Sequence, residues 1–141
     1  MGTMTRQDAI DFISVGSRTG KLATASTAGV PHVAPIWFVV AGDDLVFTTG
    51  EESVKGRNLL ANPRAMLTVD VSEYPYDFAV VQGPVAVERR APDLVDWTGR
   101  IAERYVPPRL GDEFGKRNAA DTELLCRLRI DRISGFTDIA L

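Results

Sequence analysis

The turn Gly42-Asp43-Asp44 limits what this chain can fold into more than any other feature. It joins a β-branched and aromatic run over residues 32–41 to a second such run over 45–49. Gly-Asp between two β-rich runs is a tight hairpin signal, so these runs pair antiparallel. Similar punctuation recurs along the chain. Residues 21–28 alternate small apolar and hydroxyl side chains, as a half-buried strand does, and Ala28-Gly29-Val30 turns the chain. In the run 64–71, Ala65, Leu67 and Val69 share one face, and Met66, Thr68 and Asp70 the other. After the turn at 74–77 comes a long strand over 78–89, with a bulge or bend expected at Gly83-Pro84. A last strand over 122–136 places Cys126, Leu128 and Ile130 inward and Arg127, Arg129 and Asp131 outward.

Helical patterns are inserted between these strands. The first covers residues 5–15, with Thr5 as its cap and Asp8 in its first turn. Another runs from 53 to 61 and is stopped by Asn62-Pro63. A third runs from 92 to 105 with Pro107-Pro108 after it, and a loop containing a helical turn spans 109–120. About six strands in hairpin order with short turns predict a small antiparallel Greek-key barrel. A doubly wound parallel sheet is disfavoured, because no G-x-G-x-x-G follows a strand.

Composition narrows the chemistry. The chain has 141 residues, 45% hydrophobic and 25% charged, which suits one globular domain over 1–141. Its net charge of −3 lacks the basic surplus that a general grip on nucleic acid needs. Cys126 and His32 are the sole cysteine and histidine, which excludes a disulfide framework, a thiolate zinc cluster and a Cys–His nucleophilic pair built without His32. No apolar run is long enough to span a bilayer, and the first residues lack the apolar core of a signal peptide. The expectation is a soluble cytoplasmic protein with no membrane partner. Cys126 and His32 read as packed residues. Adjacent on a strand, Trp37 and Phe38 face opposite ways, one toward the core and one toward an interface.

The most informative stretch is Phe47-Thr48-Thr49-Gly50-Glu51-Glu52-Ser53-Val54-Lys55-Gly56-Arg57-Asn58, followed by Asn62-Pro63-Arg64. A strand ends in two threonines and a helix begins at Ser53. Lys55 and Arg57 fall near the helix start, where the helix field disfavours each cation by roughly 0.3–1 kcal/mol. A bound anion would reverse that sign. Free N–H groups, a threonine hydroxyl and two cations make a phosphate cradle. Alternatively, both cations point to solvent and pair with Glu51 and Glu52. The residues alone leave both readings open.

Together with Gly20-Lys-Leu-Ala-Thr-Ala25 and Gly29-Val-Pro-His-Val-Ala-Pro-Ile-Trp-Phe38, this stretch resembles the flavin-binding split-barrel superfamily. That superfamily includes the pyridoxamine 5′-phosphate oxidases and the deazaflavin-dependent oxidoreductases. The resemblance runs in order along nearly the whole chain, as far as the helix end at Glu103-Arg104-Tyr105. It implies a split barrel, a homodimer with the cofactor in a groove between subunits, and a small-molecule substrate. It also implies that Val33, Ala34, Pro35 and Ile36 line the isoalloxazine-type ring through their backbone. Thr48 and Thr49 lie beside the ring or phosphate, Lys55 holds the phosphate, Asn58 supports it, and Arg57 belongs to the same cradle. Phe78 falls where the flavin oxidases use a polar residue against the cofactor. Where those oxidases carry an Arg, this chain has Val33; where they carry Arg–Lys, it has Val54-Lys55. Their C-terminal Arg-x-His is absent. These departures point to the branch that uses coenzyme F420, with FMN as the alternative cofactor and a non-catalytic flavin or haem carrier as a further one. No residue is required as a nucleophile, and no metal site is expected.

Overall fold

The computed structural model describes residues Met1–Leu141. Nine strands and four α-helices follow in the order β1 (Gly2–Thr3), α1 (Arg6–Ser14), β2 (Gly20–Ala25), β3 (Pro31–Ile36), β4 (Val39–Ala41), β5 (Asp44–Gly50), α2 (Val54–Ala61), β6 (Arg64–Asp70), β7 (Phe78–Arg89), α3 (Leu94–Tyr105), α4 (Gly111–Arg117), β8 (Glu123–Arg129) and β9 (Arg132–Thr137). A short 3₁₀ turn, Pro108–Leu110, precedes α4. No helix is long and apolar enough to cross a membrane.

All strand pairs are antiparallel, in the order β3-β2-β6-β7-β8-β5-β4, with β9 also on β7 and β1 on β9. The sheet curls on itself as a split barrel. The chain makes hairpins of β2–β3, β4–β5 and β6–β7, but β6 returns to lie beside β2, which is the Greek-key step. Gly42, at φ 62°, supplies the left-handed residue that the β4–β5 hairpin needs.

Two sequence-predicted strands are divided. The run over 32–41 breaks at Trp37-Phe38 because Tyr105 and Arg104 occupy the Phe38 backbone. The Phe38 N–H donates to Tyr105 Oη at 3.2 Å, and its carbonyl accepts from Arg104 Nη1 at 2.7 Å. Tied to a helix end, Phe38 cannot take part in a ladder. The same guanidinium donates to the carbonyls of Gly16 and Ile13, both at 2.8 Å, locking α1, α3 and the β3–β4 break together.

The run over 122–136 divides at Ile130-Asp131. Gln82 faces Arg132 and Val85 faces Leu128, so Gly83-Pro84 lie opposite Arg129, Ile130 and Asp131. The extra residue of this bulge is therefore in the partner strand, not in β7 where the sequence placed the irregularity. Gly83 makes the close approach feasible, because a Cβ there would collide with the Arg129 carbonyl oxygen.

The main core lies inside the curl, where Leu22, Phe38, Leu45, Phe47, Leu67 and Cys126 are fully buried or nearly so. As the alternation predicts, Ala65, Leu67, Val69, Cys126, Leu128 and Ile130 all point inward. Strands β5 and β8 are covered on their second face as well. There Val46 and Leu125 pack with Ala91 and Leu94 under α3. The consecutive buried leucines Leu124 and Leu125 are the sequence mark of a strand packed on both faces.

Candidate functional site

At one end of that second face, β3, β5, α2, α3 and β8 surround a cavity of about 440 Å³. Pro35 and Ile36 enter from the end of β3, Thr48 from β5, Lys55 from α2 and Glu123 from β8. Trp37, Thr98 and Ile101 complete the side toward α3. The Trp37 ring stacks on Tyr105 at 5.1 Å with an interplanar angle of 8°. That contact fixes the indole as a rigid wall.

Lys55 reaches the cavity because α2 starts immediately beside the end of β5. Ser53 caps the helix: its Oγ accepts from Gly56 N–H at 3.0 Å and donates to the Gly50 carbonyl at 2.8 Å. Gly56 lets the helix sit this close, since a Cβ there would overlap the Gly50 carbonyl oxygen. Neither Lys55 nor Arg57 forms an ion pair; Glu51 pairs instead with Arg89 at 2.6 Å. Of the two readings left open by the sequence, pairing with the neighbouring glutamates is therefore not the one the structure adopts.

The predicted site residues separate into groups. Pro35, Ile36, Thr48 and Lys55 share the cavity. Thr49, one residue on, points the other way, is buried, and bonds to Ser53 Oγ at 2.9 Å. Asn58 is buried below the cavity and donates to Thr24 Oγ1 at 3.1 Å, tying α2 to β2. Next to Thr24 across the ladder is His32, whose Nδ1 is buried without a hydrogen-bond partner. Arg57 is exposed on the far side of α2. Val33 is 66% exposed on the outer face of β3, and Ala34 is half-buried. Phe78 packs on Phe136 at 5.2 Å and borders a different hollow with Lys21, Thr68 and Tyr76.

Sequence reasoning missed Glu123, Trp37 as a cavity wall, and the contribution of α3. Thr48 Oγ1 donates to Glu123 Oε2 at 2.8 Å. Burial pushes the Glu123 carboxyl above the ordinary glutamate range, against the opposing pull of the Thr48 hydroxyl and of Lys55. A raised native value means that the folded state binds the proton more tightly than the unfolded chain. Stability therefore falls as pH rises from the ordinary glutamate value through the raised one. Glu123→Gln should melt slightly above the wild type at pH 7, and the gap should close on acidification below the ordinary value. Thermal melts of both proteins across that range check the sign; a variant that melts lower at pH 7 contradicts it.

The lining combines one cation, Lys55, one carboxylate, Glu123, and the apolar surfaces of Pro35, Ile36 and Trp37, which suits a ligand with an anionic group and a flat apolar part. The buried unpartnered nitrogen of His32 marks further polar capacity on the same helix-to-sheet layer.

The sequence matches no curated protein. Among solved structures, a conserved hypothetical protein from Mycobacterium tuberculosis aligns over 98% of this chain and 89% of its own, at 21% identity and a TM-score of 0.78. An F420 reductase aligns over 87% of this chain and 94% of its own, at 25% identity and a TM-score of 0.69. The haem storage protein HutZ from Vibrio cholerae aligns over 94% of both chains, at 18% identity and a TM-score of 0.70. The family model described as pyridoxamine 5′-phosphate oxidase matches residues 7–134, which include every strand of the curled sheet except β1 and the end of β9. The chain belongs to the pyridoxamine 5′-phosphate oxidase family.

Proposed function

We propose that the protein is an oxidoreductase that uses a flavin-type cofactor, coenzyme F420 in first place and FMN as the alternative, on a small electron-poor organic substrate. The observation that carries this reading is the convergence of Pro35, Ile36, Thr48 and Lys55 on one cavity from three separate elements. Family membership supports a flavin-type cofactor, and the likeness to an F420 reductase at 25% identity supports the deazaflavin.

When bound, reduced F420 supplies a hydride from its C5. The protein binds and orients. Lys55 holds the phosphate with Thr48 beside it, and Asn58 and Thr49 fix the helix and strand that carry them. The backbone of Val33, Ala34, Pro35 and Ile36 lines the ring. The stacked Trp37–Tyr105 pair excludes water from the α3 side. Arg57 and Phe78, outside the cavity, contribute only at its margins or across a subunit boundary. Titration of the purified protein with F420 and with FMN, followed by quenching of Trp37, tests the reading. Saturable binding of F420 supports it. Failure to bind either cofactor, or a red protein that carries haem, refutes it.

A homodimer completes the proposal. Val33, Ala23 and Met66 lie side by side across β3, β2 and β6 and face outward. Val33 is 66% and Met66 45% exposed, and this apolar row continues the strand that ends at the cavity. Sedimentation at micromolar concentration should give twice the monomer mass, and Val33→Glu should shift it toward the monomer. A monomer with full cofactor affinity is the contrary result.

A further inference from the structure

The cavity that holds Lys55 also holds an acid. Glu123 lies directly across the ladder from Gly50 and accepts from Thr48, so its carboxylate is fixed on the cavity surface rather than free to swing away. A site built only to attract anions gains nothing from this residue, because a carboxylate cancels much of the attraction of one lysine.

The surrounding charges do not offset it. Lys55 comes from α2, and it is the only cation lining the cavity. Glu51 before α2 is paired with Arg89 from the end of β7. Glu123 also borders a second, smaller hollow with Glu51, Arg89, Arg90 and Asp121, whose two positive and two negative charges cancel. Along β8, the Cys126 thiol is pushed up to about 12 by burial and by Glu123 itself, so it stays neutral. From the α3–α4 side come Thr98, Ile101 and Asn118, all uncharged. The formal charge of the cavity lining is thus one positive and one negative group.

We propose that Glu123 is a specificity-determining residue that makes this cavity select a singly charged phosphodiester over a doubly charged phosphomonoester. The proposal rests on the reading that the cavity takes a cofactor phosphate. F420 carries its phosphate as a diester with one negative charge, whereas FMN carries a monoester whose charge at pH 7 is about −1.5 to −2. One lysine balances the first charge. The second charge of the monoester meets the Glu123 carboxylate.

The experiment measures dissociation constants of F420, FMN and riboflavin for the wild type and for Glu123→Gln, by Trp37 quenching at pH 7.5. Gln keeps an oxygen that accepts from Thr48 and removes the charge. The expected result is about a tenfold gain in FMN affinity, the order of one unit charge acting across a half-exposed site, with a smaller gain for F420 and none for riboflavin. The wild type also answers by itself: its preference for F420 over FMN should narrow between pH 8 and pH 5.5, as the monoester takes up its second proton and no longer meets Glu123 with a second charge. Equal gains for both phosphates, or a preference that does not change with pH, overturn the role of Glu123 and leave the cofactor reading intact. A wild type that binds neither F420 nor FMN overturns both. Should Glu123→Gln fail to fold, the pH series on the wild type decides.

Discussion

Lys55→Ala should weaken binding of F420 and of FMN by about ten- to a hundredfold, the equivalent of a charge-assisted contact of about 1.5–3 kcal/mol. Its melting temperature should hold or rise slightly. The second half of this expectation follows from the structure of the free protein. Lys55 has no ion pair to lose, and its longer-range attraction to Glu123 is offset by its place in the first turn of α2, where the helix field opposes a cation by roughly 0.3–1 kcal/mol. Because the contact is to a phosphate, the loss should shrink as salt rises. Arg57→Ala, on the exposed side of the same helix, should have a smaller effect, or one confined to F420 with its acidic tail. Fluorescence titration and a thermal melt of each variant read out both halves. Wild-type affinity combined with lower thermal stability would make Lys55 a structural residue and move the phosphate site elsewhere.

Gly56→Ala should destabilise the fold by about 1–3 kcal/mol, although alanine is the better helix former. In an exposed helix interior this change is favourable by roughly 0.8–1 kcal/mol. At Gly56 the new methyl group would enter the Gly50 carbonyl oxygen, which is backbone and cannot rotate away. Either α2 moves off the end of β5 or the strand end distorts. Both displace Ser53 and Lys55, so cofactor affinity should fall with stability. Gly99 is the internal control. It lies inside α3, and a Cβ there would have nothing within 4 Å. Gly99→Ala should therefore raise stability by up to about 1 kcal/mol. Denaturant unfolding of the two variants should show opposite signs, and matching signs would refute the close approach of α2 to β5.

Much of this architecture is legible in the sequence, because the legible parts are local. The hairpin at Gly42, the caps Thr5 and Ser53, and the alternation of Ala65, Leu67 and Val69 each depend on residues a few positions apart. The breaks were not legible because their causes are remote. Phe38 leaves its strand on account of Arg104 and Tyr105, and the last strand kinks where it meets Gly83. The candidate site shows the same division. Thr48 and Lys55 belong to one continuous motif and were found together. Strand periodicity alone would have separated Thr48 from Thr49. Glu123 is 75 residues from Thr48, and only the β5–β8 register brings them together. A partial signal existed in the chain itself. Leucines at both 124 and 125 announce that the strand is covered on two sides, and Glu123 falls on the same side as Leu125.

The position of β7 has a consequence for how the molecule comes apart. One edge of this strand is bonded to β6 over residues 78–84, and the other is shared between β9 at its beginning and β8 at its end. Peeling away the β8–β5–β4 wing exposes the second half of β7. Peeling away β9 exposes the first half, and with either loss the bulge over Gly83 loses its footing. Neither wing can therefore open as an independent unit, and their opening free energies are coupled through a single strand. The amides at the centre of β7 should exchange with solvent only through global unfolding, while α4 and the two-residue β1, which have no such strand in common, open on their own.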